Sequence, residues 1–95
     1  MEFESWVTHV KQRGISTAKK YNGAIYERLS AMAIANGLTT KEVWKIHSIS
    51  ELNSLKKRLM DLDEFNDLNT KGNNMYSAAL NMYGQYLEYK ATANR

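Results

Sequence analysis

Two short segments of this sequence carry side chains suited to holding a phosphate group. Residues 16–20 read Ser-Thr-Ala-Lys-Lys and residues 71–74 read Lys-Gly-Asn-Asn. A similar phrase follows each: Tyr-Asn-Gly-Ala-Ile at 21–25 and Tyr-Ser-Ala-Ala-Leu at 76–80, both at the start of a helical pattern. Helix N-termini present free N–H groups and positive potential to anions. The lysines add charge, so the two segments indicate binding of a phosphate backbone.

The other basic residues extend this candidate interface. Thirteen Lys and Arg outweigh ten Asp and Glu, and the acids are concentrated in residues 61–67. Such a polarised chain favours an oriented anionic partner. The cations expected to attract phosphates are Lys11, Arg13, Lys19, Lys20, Lys45, Lys56, Lys57 and Lys71. The polar residues expected to set the register or contact bases are Ser16, Thr17, Asn22, Asn73, Asn74 and Ser77. The same residues also suit plain helix caps and solubilising charge.

Catalytic and metal-binding patterns are missing from the sequence. Neither His9 nor His47 has a second ligand at metal-binding spacing, and there is no cysteine. The acidic residues 61–67 lack the glycine and the final glutamate of a calcium loop. No nucleophile elbow or glycine-rich phosphate loop is present. We therefore expect a non-enzymatic chain with no metal, no cofactor and no small-molecule substrate.

The composition also indicates where the chain works. The absence of cysteine fits a reducing compartment, and no apolar run reaches the roughly 18 to 20 residues of a membrane span. The N-terminus lacks the basic and apolar regions of a signal peptide. These features predict a cytoplasmic protein without a membrane partner.

The elements that must position these residues are read as helices. The 95 residues suit one domain, and no segment alternates like a strand beside a hairpin turn. Apolar spacing predicts an all-α bundle of about five helices, with residues 63–71 as a polar connection or one helical turn, anchored by Phe65 and Leu68. The predicted helices cover about 2–13, 17–36, a short piece opened by Thr39 and Glu42, 48–62, and 73 or 74 to 91. Residues 1–91 would form the domain and 92–95 a frayed tail.

Local signals refine these boundaries. Ser16 is the predicted N-cap of the second helix, and Thr39–Glu42 and Ser48–Glu51 have capping-box spacing. Gly14, Gly37 and Gly72 stand where C-cap glycines are common. Small residues in the repeated phrase would let the second and last helices approach closely; they are Gly23, Ala24, Ala78 and Ala79.

Two stretches resemble known DNA-binding modules. Residues 3–7 (FESWV), 13–17 (RGIST), 20–21 (KY) and 24–25 (AI) resemble the opening of the core-binding domain of tyrosine recombinases, the phage integrases. Residues 72–80 (GNNMYSAAL), with Tyr83, Tyr86 and Leu87, are similar to the end of an N-terminal helical module that precedes nuclease domains in HNH-type restriction endonucleases.

Both resemblances imply a SAM-like helical bundle that clamps duplex DNA. They place Ser16, Thr17, Lys19 and Lys20 at the helix start that contacts the backbone. The chain departs from both families because no recombinase Arg–His–Tyr set can be placed and no HNH box follows. The resemblance therefore implies the recognition part of a restriction-type nuclease or recombinase without its chemistry.

The alternative is a small protein-interaction module, such as a phage or mobile-element protein that docks on a host factor or a nuclease. It would use Tyr86, Tyr89 and the acidic residues 61–67 rather than the lysines. A regulatory subunit acting on a nuclease would combine both functions. One contiguous face of surface lysines would favour DNA, whereas an even scatter would favour the protein partner.

Overall fold

Apolar residues at helical spacing fold the chain into helices joined by short turns. The computed structural model describes residues 2–93. Within that range no residue is in a strand, which confirms the predicted all-α class. The elements are α1 (Phe3–His9), α2 (Ile15–Gly23), a π-helical turn (Ala24–Arg28), α3 (Leu29–Ala35), a 3₁₀ turn (Val43–Lys45), α4 (Ile49–Met60), α5 (Asp63–Lys71) and α6 (Met75–Ala93). Because α2, the π-helical turn and α3 are continuous, the described residues form five helical rods.

The long helix α6 lies at the centre of the packing. It contacts α1, α2, the π-helical turn, α4 and α5. Its buried residues include Tyr83, Tyr86 and Leu87, and those facing it include Phe3 of α1. Removing a large apolar side chain from water contributes about 1.5 to 3 kcal/mol, so this shared core supplies most of the driving force for folding.

Two buried hydroxyl groups hold the 3₁₀ turn in place. The Ser30 hydroxyl donates to the carbonyl oxygen of Ile25 at 2.6 Å and accepts from the backbone N–H of Val43 at 2.9 Å. The Tyr83 hydroxyl lies 3.0 Å from the carbonyl oxygen of Trp44 and 3.2 Å from that of Ile46. The backbone of the 3₁₀ turn is thereby tied to both long helices.

The entry into α2 differs from the prediction. Helix α1 ends at His9 instead of about Arg13, and the chain turns at Gln12, which adopts a φ of 56°. Gly14 is extended, with φ −62° and ψ 153°, and is the N-cap of α2. The predictions of Gly14 as a C-cap and of Ser16 as an N-cap were therefore wrong, because the helix begins one residue before Ser16.

Of the other predicted helix boundaries, some are confirmed and some are not. Ser48 caps α4 as predicted, its hydroxyl accepting from the backbone N–H of Glu51 at 3.2 Å. The capping box at Thr39 does not form, since Glu42 precedes a 3₁₀ turn and the Thr39 hydroxyl instead accepts from the backbone N–H of Lys41. Gly37 has the positive φ, 68°, of a C-cap glycine.

Residues 63–71 form a full helix, α5, rather than a connection. Phe65 is completely buried and Leu68 partly buried, as predicted for the two anchors. Gly72 is the C-cap of α5, as predicted, but its φ is −91°, and the left-handed conformation is taken by Asn73 and Asn74. Helix α6 continues to Ala93; of the predicted tail, residues 94 and 95 lie outside the described residues.

Candidate nucleic-acid interface

The N-terminus of α2 has no side-chain cap within the described part of the chain. Gly14 has no side chain to accept a hydrogen bond, and the first bond of the helix runs from the N–H of Ala18 to the carbonyl oxygen of Gly14 at 3.0 Å. The N–H groups of Ile15, Ser16 and Thr17 precede that bond. Ile15 and Ser16 are exposed and Thr17 is half-buried. This end of α2 is thus open to an external acceptor.

A groove runs along the second half of α2 and the π-helical turn. Its first half, with a volume of about 430 Å³, is lined on one side by Lys19, Lys20 and Arg28 and on the other by Met75 and Tyr76 at the start of α6. The small residues Gly23 and Ala24 line it between the two sides, and Glu27 is the one acid among the described residues of its lining. The structure therefore brings the first lysine pair next to the second copy of the repeated phrase.

The groove continues between α3 and α5. This second half, of about 460 Å³, shares Arg28 and Ala31 with the first half. Met32 and Leu68 contribute apolar surface, and Lys71 is part of its wall. Glu64 and Asp67 of α5 also line it, so the positive charge is concentrated in the α2 half of the groove.

Among residues 2–93, no ion pair involves the groove cations Lys19, Lys20 and Arg28. Within residues 2–93, the ion pairs join Lys41 to Glu51 at 3.1 Å and Lys45 to Glu42 at 3.2 Å. A backbone hydrogen bond and then the Lys45 ammonium lower the pKa of Glu42, which stays ionised beside Lys45. Lys19, Lys20 and Arg28 are exposed and outside these pairs.

The N-terminus of α6 is closed by its own side chains. The Asn69 amide oxygen accepts from the backbone N–H of Ser77 at 3.0 Å, and its NH₂ group donates to the Ser77 hydroxyl at 3.2 Å. That hydroxyl donates to the carbonyl oxygen of Asn74 at 3.0 Å, and the Asn74 side chain accepts from Asn69 at 3.4 Å. Asn69 is therefore the cap of α6, Asn74 and Ser77 are already bonded within this turn, and Asn73 is exposed in it.

The other predicted residues are distributed over the surface. Lys11 lies over the Trp6 ring, 6.0 Å from its centroid, and Arg13 is exposed just before α2. On α4, the Lys56 ammonium donates to the Asn81 side chain and Lys57 is exposed. Together with Lys45 on the 3₁₀ turn, these α4 lysines lie outside the groove lining. Asn22, half-buried on α2, is not part of the lining either.

Sequence reasoning missed Arg28. The signal was present, because Lys20, Ala24 and Arg28 follow one another at intervals of four residues and share a ridge of the helix. The approach of Met75 and Tyr76, which makes the ridge into a groove, depends on tertiary packing. Gly23 is not needed for that approach, since an added Cβ would meet nothing within 4 Å.

The residues expected to serve a protein partner are also placed. Tyr86 is only 6% exposed and packs against the rings of Phe3 and Trp6, so the prediction that it could meet a partner was wrong. Tyr89 is 38% exposed and contacts Trp6. Of the acidic residues, Glu64 and Asp67 line the groove.

Two further properties of residues 2–93 bear on function. They contain no group of three or more His, Cys, Asp or Glu side chains arranged to hold a metal ion. None of their helices combines the length and the apolar character that crossing a bilayer requires.

Comparison with protein-family models, with curated proteins and with solved structures finds no match to this chain. The resemblance to recombinase and HNH-endonuclease modules thus stays a prediction based on short motifs. What the chain does has to be argued from its own geometry.

Proposed function

We propose that this domain binds duplex DNA without catalysis, holding the phosphate backbone at the open end of α2 and along the α2 half of the groove. In this proposal it is the recognition part of a restriction-type nuclease or recombinase, as the motif resemblance implies. The interface is narrower than the sequence predicts, because Asn74 and Ser77 already bond within their turn.

One observation carries the proposal: the open N–H groups and three cations free of ion pairs lie on one continuous helical rod within the described residues. Lys19 and Lys20 lie about one turn from the open end, and Arg28 follows two turns later along the same ridge. Adjacent phosphates of a strand could bind the N–H groups and the ammonium groups together. Arg13, exposed beside the same end, adds a fourth cation.

Salt dependence tests this proposal directly. Binding of a labelled random duplex is measured by gel shift and anisotropy at 50 and 200 mM salt. Four phosphate contacts, one each for Arg13, Lys19, Lys20 and Arg28, would lower the affinity about 100-fold over that range, since the slope is about −0.9 per contact. Affinity that ignores salt, or no binding at 50 mM, would refute a backbone interface.

A second function is favoured by the other half of the groove. Between α3 and α5 the lining is apolar at Ala31, Met32 and Leu68, with Glu64 and Asp67 close to Lys71. An apolar lining with charges of both signs suits a segment of protein better than a phosphate backbone. A nuclease domain or another protein could dock there while DNA occupies the α2 half. An Ala35→Glu variant, changed at an exposed residue of this lining, that still binds duplex DNA but no longer co-purifies with a candidate nuclease would support this function.

A further inference from the structure

A pair of stacked aromatic rings is exposed away from the groove. Tyr26, in the π-helical turn, and Trp44, in the 3₁₀ turn, have ring centroids 5.6 Å apart and planes inclined by only 11°. Each residue is 37% exposed, which is high for large aromatic side chains that could have joined the core. The Lys45 ammonium, which also forms the ion pair with Glu42, lies over the Trp44 ring, 5.2 Å from its centroid. We call Tyr26, Trp44 and Lys45 the aromatic platform.

The backbone that carries the platform is held by buried hydrogen bonds although its rings are exposed. The backbone of Trp44 is fixed by the Tyr83 hydroxyl at its carbonyl oxygen, and the neighbouring Val43 N–H is bound by Ser30. Tyr26 belongs to the continuous rod that also carries Arg28. A flat aromatic surface that is already held in place loses little entropy when a planar ligand stacks on it.

We propose that the aromatic platform stacks an unpaired nucleobase, so that the domain binds single-stranded DNA or an unpaired stretch next to a duplex. Aromatic rings flanked by a cation form the usual stacking surface for single strands, because every base offers a π-face and the cation accompanies the phosphate. This inference rests on the proposed function, since it assigns the bases of the same nucleic acid to a second surface.

The position of the platform relative to the groove supports a shared ligand. Tyr26 and Arg28 are two residues apart in one turn, and residues at that spacing do not face the same side of a helix. A helix with its side chains is about 10 to 12 Å across, so an unpaired strand that crosses it can reach both sides within a few nucleotides. A base could therefore reach the rings while its neighbours contact Arg28 and Lys20.

Intrinsic fluorescence of the full chain provides the test. Trp6 is 3% exposed, so only Trp44 can stack with an added base. Titration with a twelve-residue oligothymidylate should quench the Trp44 emission. Trp44→Leu should lower the affinity for that oligonucleotide at least about fivefold, the lower limit for one stacked base, and abolish the quenching. Trp44→Tyr should restore most of the affinity, because it keeps a π-face.

A matched control and a duplex measurement separate the two proposals. Tyr89→Leu removes an aromatic residue of similar exposure, 38%, and should leave both affinities unchanged. Circular dichroism confirms that each variant is folded. Salt-dependent duplex binding with no Trp44 quenching, or with Trp44→Leu equal to wild type on oligothymidylate, would overturn the platform alone and assign it to a protein partner. No binding of either DNA would overturn both proposals.

Discussion

The two copies of the repeated phrase belong to helices, α2 and α6, whose N-termini differ. The start of α6 is closed, because Asn69 occupies the N–H and the hydroxyl of Ser77 and Asn74 joins the same cluster. The start of α2 is open, because its N-cap is Gly14 and no described side chain caps it. Similar residues thus occupy two helix N-termini that differ in whether protein side chains already satisfy the backbone N–H groups.

This difference teaches how to weigh a polar helix terminus as a binding site. Backbone N–H groups need an acceptor, and one provided by the protein itself leaves nothing for a ligand. The lysines follow the same division. Lys19 and Lys20 accompany the open end and line the positive half of the groove, whereas Lys71 stands near Glu64 and Asp67 in the lining of the other half.

The largest expected effect is on DNA affinity. Lys19→Ala with Lys20→Ala should weaken duplex binding about 60-fold at 0.1 M salt, because each lost phosphate contact removes a factor of about 8. The free energy of unfolding should be unchanged, because both side chains are exposed. The measurement is anisotropy of a labelled duplex.

A second lysine pair provides the control for that experiment. Lys56→Ala with Lys57→Ala changes the net charge equally but on α4, outside the groove lining. We expect a loss of less than about fivefold from this pair, through general charge alone. Equal losses of affinity from the two pairs would mean that DNA affinity follows net charge, which would contradict a specific interface on α2.

Removing the cap of α6 should affect stability instead. Asn69→Ala takes away the acceptor of the Ser77 N–H and should lower the free energy of unfolding by about 1 to 2 kcal/mol. Ser16→Ala at the open end should cost less than about 0.5 kcal/mol, because the Ser16 side chain caps nothing. Urea denaturation measures the free energy of unfolding of both variants. Equal losses would show that the side-chain cap of α6 contributes no more to stability than Ser16 does at the N-terminus of α2.

How far the sequence predicts this molecule depends on how local each signal is. Helix α4 was predicted within two residues because its cap, Ser48, and its leucines at helical spacing are local. Helix α5 was missed because only Phe65 and Leu68 are apolar in nine polar-rich residues, so its stability comes from packing on α4 and α6.

The candidate site was likewise predictable only where its residues follow from local sequence. Lys19 and Lys20 follow from composition and position in the chain. The contribution of Arg28 and the closure of the α6 end by Asn69 depend on contacts eight residues away or across two helices, which periodicity does not contain. The left-handed turn at Asn73 and Asn74 could be suspected, since asparagine tolerates that conformation, but its effect on Ser77 could not.

High pH should lower the free energy of unfolding through the buried tyrosines of α6. Burial raises the pKa of Tyr83, and also those of Tyr26 and Tyr86. An unfolded tyrosine titrates near pH 10, so above that pH the unfolded chain loses protons first and the free energy of unfolding falls. Tyr83→Phe should cost about 1 to 2 kcal/mol at pH 7, because the carbonyl oxygens of Trp44 and Ile46 lose the hydroxyl donor that they share.

The same variant should be less sensitive to alkali than the wild type, which separates the hydrogen bonds from the titration. Urea midpoints at pH 7 and pH 10.5 give both quantities. A wild-type midpoint that is constant over this range would contradict the raised pKa values as a source of instability.

The smallest effect comes from making the open end resemble the closed one. Gly14 has extended backbone angles, and an added Cβ would meet nothing within 4 Å, so Gly14→Ser can place a hydroxyl against the N–H groups of α2. A serine cap exceeds glycine by a few tenths of a kcal/mol, and urea denaturation should show that gain. DNA affinity should fall at the same time, by less than about threefold, because the serine hydroxyl now occupies one of the N–H donors that would bind phosphate. A gain in stability without any loss of affinity would mean that the lysines alone hold the backbone and that the open N–H groups contribute nothing.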